Sequence, residues 1–341
     1  MLASIVALIA AIYFSKYIKR FHTYTFTFGL VILEMLAMLA MATTNSAIFI
    51  GIFFVVHFLL QSLLYVCLNI FVESFSHHAE TGSIRGLFLV ILNMGILVSP
   101  VIGGALLKIG SFEILYIVTS LTLIPFLYFL HKYLSHIKEP AYHSVDLFWA
   151  IRQVSRNTNL KGALIAMFIV QSFYAVMIIY SPIYLVTLGI PLTTYLSFIL
   201  PLALVPLVLL PYEVGVLADT KYGEKEIMIT GLCILAITAF MCVIITSNDP
   251  RVWIGILVVS RIGAALVETM AYTYFFKKIK STDSSLNALF NNAGIFATIF
   301  IGAVGILISP FLIDRPQLMF LVLGGVILWG ISYVLPIKDT R

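Results

Sequence analysis

Apolar segments long enough to cross a lipid bilayer recur along the whole chain of 341 residues. A transmembrane α-helix needs about 20 mostly apolar residues. Charged residues make up 10% of the chain, whereas soluble domains carry about 25%. Lipid is therefore the solvent for most of the chain, and we predict an all-α polytopic membrane protein. The predicted spans are 1–14, 24–42, 47–71, 86–108, 112–132, 162–187, 192–213, 227–246, 252–276, 286–311 and 317–335.

The basic residues fall almost entirely on one side of this topology. Only Lys108, Arg251 and Arg315 lie on the opposite side, and Arg261 lies within a span. Such an asymmetry marks the rich side as cytoplasmic. We therefore expect a multi-pass protein of the plasma (inner) membrane with cytoplasmic basic loops and a cytoplasmic C-terminus. The basic charge orients the protein in the bilayer, so it does not indicate a nucleic-acid partner.

The sequence contains none of the common patterns of metal sites or membrane enzymes. Its three cysteines lie inside apolar segments without a C-x-x-C pair, which argues against zinc or disulfide chemistry. HExxH and GxSxG motifs are absent. We therefore expect no cofactor, no metal and no catalytic residues.

Two stretches of the chain indicate an internal duplication. The charged stretch EVGVLADTKYGEK (213–225) has a weaker copy in AIYFSKYIKR (11–20), and aligning Ser15 with Asp219 gives an offset of 204 residues. Val55-Val56 and Val258-Val259 open two similar segments at an offset of 203. Two agreeing offsets predict two related halves, as many transporters have.

The duplication divides the chain into three parts. We predict an N-terminal helix bundle over 1–132, a cytoplasmic linker over 133–161 and a C-terminal six-helix bundle over 162–341. Within the linker, Leu147, Ile151 and Val154 follow helical spacing with Arg152 and Arg156 on another face, which predicts an amphipathic helix on the inner leaflet. The same offset places the partner of the helix near 162 before the first residue. We therefore expect that one helix and part of the next are missing from the first half, so that about eleven helices remain.

These motifs resemble those of the major facilitator superfamily of transporters. The family loop pattern Gly-x-x-x-Asp-basic-x-Gly-basic-basic is similar to this chain from 215 to 225, with one extra residue before the second glycine. The earlier copy keeps three basic residues and has Ser15 in place of the acid. Residues carrying the resemblance in the two loops are Gly215, Asp219, Lys221, Gly223, Lys225, Lys16, Lys19 and Arg20.

A glycine-rich helix carries a second resemblance. Its pattern is similar to one associated with drug–proton antiporters of the superfamily, except that serine replaces a glycine. The matching residues are Gly86, Gly95, Ser99, Pro100, Gly103 and Gly104. The stretch Glu73 to Arg85, which leads into this helix, is the third resemblance. The glycines allow close helix packing whether or not they are coupled to transport.

The resemblance also implies a central cavity lined by four of the family's helices. Arg261 and Glu268 are seven residues apart and so share one helix face. Glu268 is a candidate proton carrier, and Arg261 is either its counter-charge or an anion site; an ion pair that only holds helices together is the alternative. The residues that the resemblance assigns to the cavity are Arg261, Glu268, Tyr272, Gln61, His57, Gln171 and Tyr174.

Several other polar residues have plainer interpretations. Glu34 lies on a helix that is peripheral in the family, and we expect it to be a packing acid. For His57, a packing role is the alternative to lining the cavity. Asn93, Asn291 and Asn292 are expected to form interhelical hydrogen bonds. Asp219 is expected to latch two bundle arrangements, or else to sit in an ordinary basic loop; Ser15 lacks the charge for a matching latch.

We therefore expect a secondary transporter that moves a small solute by alternating access, coupled to protons and in the direction of efflux. Uptake of a sugar, nucleoside or organic anion is the first alternative, and an anionic solute is favoured if Arg261 is not neutralised by Glu268. A truncated membrane protein that binds partners without transporting is the second. The expected partners are a solute, protons and the lipid bilayer, with the chain as a monomer.

Overall fold

We describe a computed structural model of the chain. It describes residues 3–7, 10, 22–75, 81–135, 146–279, 284–313 and 315–338. The described part is helical, with short turns between helices, and it divides into two compact units. The first unit is Met1–Gly95 with Ala105–Ser144, and the second is Ile96–Gly104 with Val145–Arg341.

The first unit is built around helix α1. Its helices are α1 (Thr23–Thr43), α2 (Ala47–Phe75), α4 (Phe112–Leu134) and the two ends of α3 (Thr81–Ile109). Helix α1 packs against both α2 and α4. Apolar side chains of α1 and α2, including Val31, Leu60 and Cys67, form the core of this unit.

The second unit has a larger buried core. Large aromatic side chains such as Phe173, Trp253 and Phe275 are almost completely buried in it. Its helices are α5 (Leu147–Arg156), α6 (Thr158–Thr187), α7 (Leu192–Thr194), α8 (Leu200–Thr220), α9 (Glu224–Ile244), α10 (Pro250–Lys278), α11 (Ser284–Asn291), α12 (Ala293–Leu307), α13 (Ser309–Leu312) and α14 (Leu318–Val334), and a π-helical turn, Tyr195–Ile199, joins α7 to α8.

The ends of the long helices follow local sequence signals. Asn157 caps α6, because its side chain accepts hydrogen bonds from the backbone N–H groups of Asn159 and Leu160. Helix α6 ends at Thr187, and Gly189, just beyond it, has a φ of 87° that suits glycine. There the Ile190 N–H bonds to the Leu185 carbonyl at 3.0 Å and the Gly189 N–H to the Val186 carbonyl at 3.0 Å, which is the Schellman pattern.

Helices α9 and α10 cross closely at two glycines. A Cβ atom added at Gly231 would lie 2.8 Å from the Gly263 carbonyl oxygen, and one at Gly263 would lie 2.9 Å from that of Gly231. Small residues permit such backbone contact between membrane helices. This crossing fixes the position of α10, which carries the two charged residues of the candidate site.

The helices agree closely with the predicted spans. Seven of the described helices are long and apolar enough to cross a membrane, and the pair 285–291 and 293–307, bent by 43°, raises the number to as many as eight. The predicted span 286–311 therefore consists of two helices rather than one. Between them, the backbone at Asn292 leaves helical geometry, with ψ of 4°. Span 1–14 lies mostly outside the described residues. The prediction of an all-α polytopic protein is confirmed.

The predicted amphipathic segment forms helix α5. The side chain of Asp146 caps it by accepting a hydrogen bond from the Trp149 N–H at 2.9 Å. Ala150 and Val154 are buried, and α5 packs against α6 and α11. Ile151, which the sequence placed with Leu147 and Val154 on the apolar face, is exposed. Ala150 and Val154, four residues apart, form the packed face instead.

Candidate functional site

Arg261 lies near the middle of α10, inside the second unit. Its side chain is only 2% exposed. The guanidinium carbon lies 4.9 Å from the centre of the Phe173 ring and 5.6 Å from that of the Tyr174 ring, both on α6. These rings offer the cation–π contacts that stabilise a partly desolvated cation.

Two nitrogen atoms of the Arg261 guanidinium have no hydrogen-bond acceptor. Its Nε and Nη1 atoms are buried and have no hydrogen-bond partner. Among the residues that the structure describes, no carboxylate forms an ion pair with Arg261, so the alternative of an Arg261–Glu268 pair is not formed. A buried cation without an acid is costly. Such a guanidinium can donate charge-assisted hydrogen bonds to an anion.

Glu268 lies two turns along α10 from Arg261 and bonds to the same neighbouring helix. The Tyr174 hydroxyl donates a hydrogen bond to Glu268 Oε2 at 2.7 Å. Tyr174 therefore contacts both charged residues, with its ring against Arg261 and its hydroxyl on Glu268. The second unit brings these three predicted residues together.

The other two predicted cavity residues of the second unit, Gln171 and Tyr272, make different contacts. Gln171, on α6, donates to the Met167 sulfur at 3.7 Å. Tyr272 is exposed and its ring packs at 4.6 Å from Phe276. The side-chain amides of Asn291 and Asn292 bond within their own helical turn rather than across helices; each bond reaches four residues back, the spacing of one turn.

Two further residues around Arg261 were not predicted from the sequence. Tyr195, in the π-helical turn, and Cys242, on α9, both lie within electrostatic range of its guanidinium. Both are buried. Their signal in the sequence is weak, because a tyrosine and a cysteine in apolar segments are ordinary core residues. The π-helical turn that places Tyr195 is a feature often found at functional sites, but apolar periodicity does not reveal it.

In the first unit, His57 and Gln61 both contact Glu34. His57 Nδ1 lies 2.5 Å and Gln61 Nε2 3.0 Å from the same oxygen, Oε1, of Glu34. The sequence had assigned His57 and Gln61 to the cavity and Glu34 to packing. No group of three or more His, Cys, Asp and Glu residues suited to a metal ion occurs in the described part of the chain.

The charged loop stretch lies at the junction of α8 and α9. Helix α8 ends at Thr220, and α9 begins at Glu224. Glu224 is buried and forms an ion pair with Lys277 of α10 at 2.7 Å. The sequence had not singled out Glu224, although an acid in the first turn of a helix is favoured by the helix dipole. The Asp219 side chain and residues 11–20 lie outside the described part, so the latch remains a prediction.

The glycine pattern lies on α3. Gly86 and Gly95 occupy its first two-thirds, and Pro100 is inside the helix. At Gly104, within the second unit, an added Cβ would collide with the Ser197 hydroxyl and lie 3.1 Å from the Ser197 backbone nitrogen. Gly104 therefore permits a close backbone approach, as expected of small residues between membrane helices.

Comparison with known proteins agrees with this architecture. A search of curated proteins gives no match. Residues 1–298 match the family model described as Major Facilitator Superfamily, which covers most of the chain. Members of that family are transporters rather than enzymes, which agrees with a multi-pass helical membrane protein without catalytic motifs. The chain therefore belongs to the Major Facilitator Superfamily of secondary transporters.

Proposed function

We propose that this transporter moves a small anionic solute and couples that movement to protons. The observation that carries the proposal is the guanidinium of Arg261, with two buried nitrogen atoms that have no acceptor. An anionic group is the ligand that best satisfies such a guanidinium, because charge-assisted hydrogen bonds to carboxylate or phosphate are strong. The sequence favours an anionic solute only if Glu268 does not neutralise Arg261. No ion pair joins these two side chains.

Glu268 is the proposed proton carrier. Its carboxylate is held by the Tyr174 hydroxyl rather than by a cation. It can therefore take up a proton and become neutral without breaking an ion pair. Ionisable side chains within membrane helices commonly serve as proton relays.

Tyr174 is the proposed link between solute and proton. Its ring lies against the cation that binds the solute, and its hydroxyl donates to the carboxylate that binds the proton. An anion bound to Arg261 competes with this ring for the cation. A proton on Glu268 weakens the hydrogen bond from the hydroxyl, because hydrogen bonds to ionised groups are the stronger ones. Each event therefore changes the free energy of the other, which is what coupling requires.

Efflux is the direction that we propose, on the basis of the glycine pattern of α3. Gly104 allows the close packing that this pattern predicts. The plasma membrane and the cytoplasmic position of the basic loops are likewise proposals, supported by the distribution of Lys and Arg.

A binding screen tests the choice of solute. The purified full chain is heated with carboxylated and phosphorylated solutes and with their neutral ester or amide analogues, and the apparent unfolding midpoint is recorded. We expect the anions alone to raise the midpoint, and we expect Arg261→Gln to abolish the effect. Arg251→Gln is the matched control, because it changes an exposed arginine at the start of the same helix. Equal shifts from neutral analogues, or an unchanged shift in Arg261→Gln, would refute an anionic solute.

A gradient experiment tests coupling and direction. Vesicles containing the protein are loaded with a solute found by the screen, and a pH gradient of either sign is imposed. Antiport predicts that solute moves against the proton flow, whereas symport predicts that both move together. Solute flux that ignores the gradient would exclude proton coupling, and no flux with any binding solute would favour a membrane protein that does not transport.

A further inference from the structure

A buried carboxylate and a histidine meet in the middle of the first unit. Glu34 lies halfway along the 21-residue helix α1 and is 1% exposed. One of its oxygens, Oε1, lies 2.5 Å from His57 Nδ1 and accepts a hydrogen bond from Gln61 Nε2 at 3.0 Å. Its other oxygen, Oε2, is buried without a hydrogen-bond partner.

Among the residues that the structure describes, His57 is the one side chain bonded to the carboxylate that can change its charge. Glu34 is the single charged residue of α1. Helices α2 and α4 pack against α1, and among their described side chains only His57 and Gln61 bond to Glu34. Ser120 of α4 contacts the backbone of Met35 instead. The other ionisable side chains of α2 and α4 in the described part are Tyr65, Cys67, Glu113, Tyr116, Tyr128, His131, Lys132 and Tyr133.

The charge of the pair depends on one proton. With one labile proton between Oε1 and Nδ1, the pair is neutral overall, either as a carboxylic acid with a neutral imidazole or as a carboxylate with an imidazolium. Loss of that proton leaves a net negative charge in an apolar bundle, and gain of a second leaves a net positive charge. Histidine is the side chain best suited to such a change near neutral pH.

We infer that Glu34 and His57 form a proton-binding site of the first unit. The proton is held between Glu34 Oε1 and His57 Nδ1, and Gln61 orients the carboxylate by donating to the same oxygen. The His57 side chain is 25% exposed, whereas that of Glu34 is 1% exposed. The imidazole is therefore the member of the pair through which a proton enters or leaves. The unpartnered Oε2 is the second place on the carboxyl group that can carry it.

This site is separate from the one proposed for Glu268. It lies on α1 and α2 of the first unit, whereas Glu268 lies on α10 of the second. Proton binding is measured without solute and without a gradient. Proton binding at Glu34 and His57 therefore does not depend on whether the proposed function is correct.

Infrared spectroscopy of the full chain in lipid vesicles tests the inference. A protonated carboxylic acid has its own C=O stretching band, so difference spectra over about pH 5–8, the range in which an unperturbed histidine changes charge, report its gain or loss of a proton. The measurement starts from Glu268→Gln, which removes the carboxyl group of the proposed proton carrier in the second unit. We expect a pH-dependent carboxyl band that disappears when Glu34→Gln is added. The matched control is Glu113→Gln, an acid-to-amide change at an exposed position of α4, which should leave the band in place.

A histidine variant keeps the test decisive if Glu34→Gln does not fold. In His57→Asn the band of Glu34 should remain, and its midpoint should move, because the group that shares the proton with Oε1 is lost. A midpoint unchanged by His57→Asn would overturn the pairing. A band that survives Glu34→Gln, or one lost equally in Glu113→Gln, would overturn the site.

Discussion

The two units bury charge in opposite ways. In the first, the acid Glu34 lies against the imidazole of His57 and an amide donor, so polar partners surround one of its oxygens. In the second, the cation Arg261 lies against aromatic rings and two of its nitrogen atoms have no acceptor. Both side chains are almost completely buried.

This contrast indicates which of the two buried charged groups can bind a ligand. A charged group that already has a neutralising neighbour gains little from a further anion or cation, whereas an unpaired one gains the full interaction. Arg261 is therefore suited to bind a solute, and Glu34 with His57 is suited to bind a proton. Each of the following predictions tests one side of this contrast.

Glu268→Gln has the largest expected effect. It should reduce proton-coupled solute flux in vesicles to background, because an amide cannot take up the proton. Solute binding should stay within a few-fold of the unmodified protein, since Arg261 is untouched and the amide oxygen still accepts from Tyr174. Glu113→Gln provides the comparison with an exposed acid. Flux that still follows the pH gradient in Glu268→Gln would remove this carboxyl group from the mechanism.

Tyr174→Phe should separate the two contacts of this side chain. It keeps the ring near Arg261 and deletes the hydroxyl that donates to Glu268, a hydrogen bond to a charged group worth about 1.5–3 kcal/mol. We expect the pH dependence of flux to move while solute affinity changes less. Phe173→Leu is the complementary variant, because it removes a ring from Arg261 and leaves Glu268 alone. The same effect from both variants would contradict the division of roles.

The positions of the helices were predictable because the membrane imposes a simple rule. A segment of about 20 apolar residues must satisfy its backbone internally, so it forms a helix. The break at Asn292 and the π-helical turn at Tyr195–Ile199 were not predictable in this way. Both depend on how one or two backbone groups are satisfied, which the apolar pattern does not record.

The candidate site was only partly predictable. Arg261 and Glu268 stood out as charges at membrane depth, and helical spacing placed them on one face. That Tyr174 would join them, and that Glu34 would meet His57 and Gln61, depends on packing between helices that the spacing within one helix does not reveal. The peripheral position of Glu34 in the family suggested a packing acid, and the sequence offered no signal for its partners.

Glu34→Ala tests the first unit. It leaves His57 Nδ1 and the Gln61 amide without their shared acceptor. Hydrogen bonds to charged groups contribute about 1.5–3 kcal/mol, so the apparent unfolding midpoint should fall. Glu34→Gln keeps an acceptor and should lose less stability. Equal losses in the two variants would show that the charge of Glu34, rather than the presence of an acceptor, decides the stability at this position.

Arg261→Met has the smallest expected effect on stability, and its sign is opposite. Methionine removes the cost of burying a cation without an acid, while it gives up two ring contacts worth about 0.5–2 kcal/mol each. We expect the free energy of unfolding to increase by roughly 1 kcal/mol, because the cost of burying the cation slightly exceeds the energy of the ring contacts. The apparent unfolding midpoint, measured without solute, should therefore rise in Arg261→Met and stay unchanged in the control Arg251→Met. A fall in Arg261→Met would show that the guanidinium stabilises the second unit, and the contrast between the two buried charges would then fail.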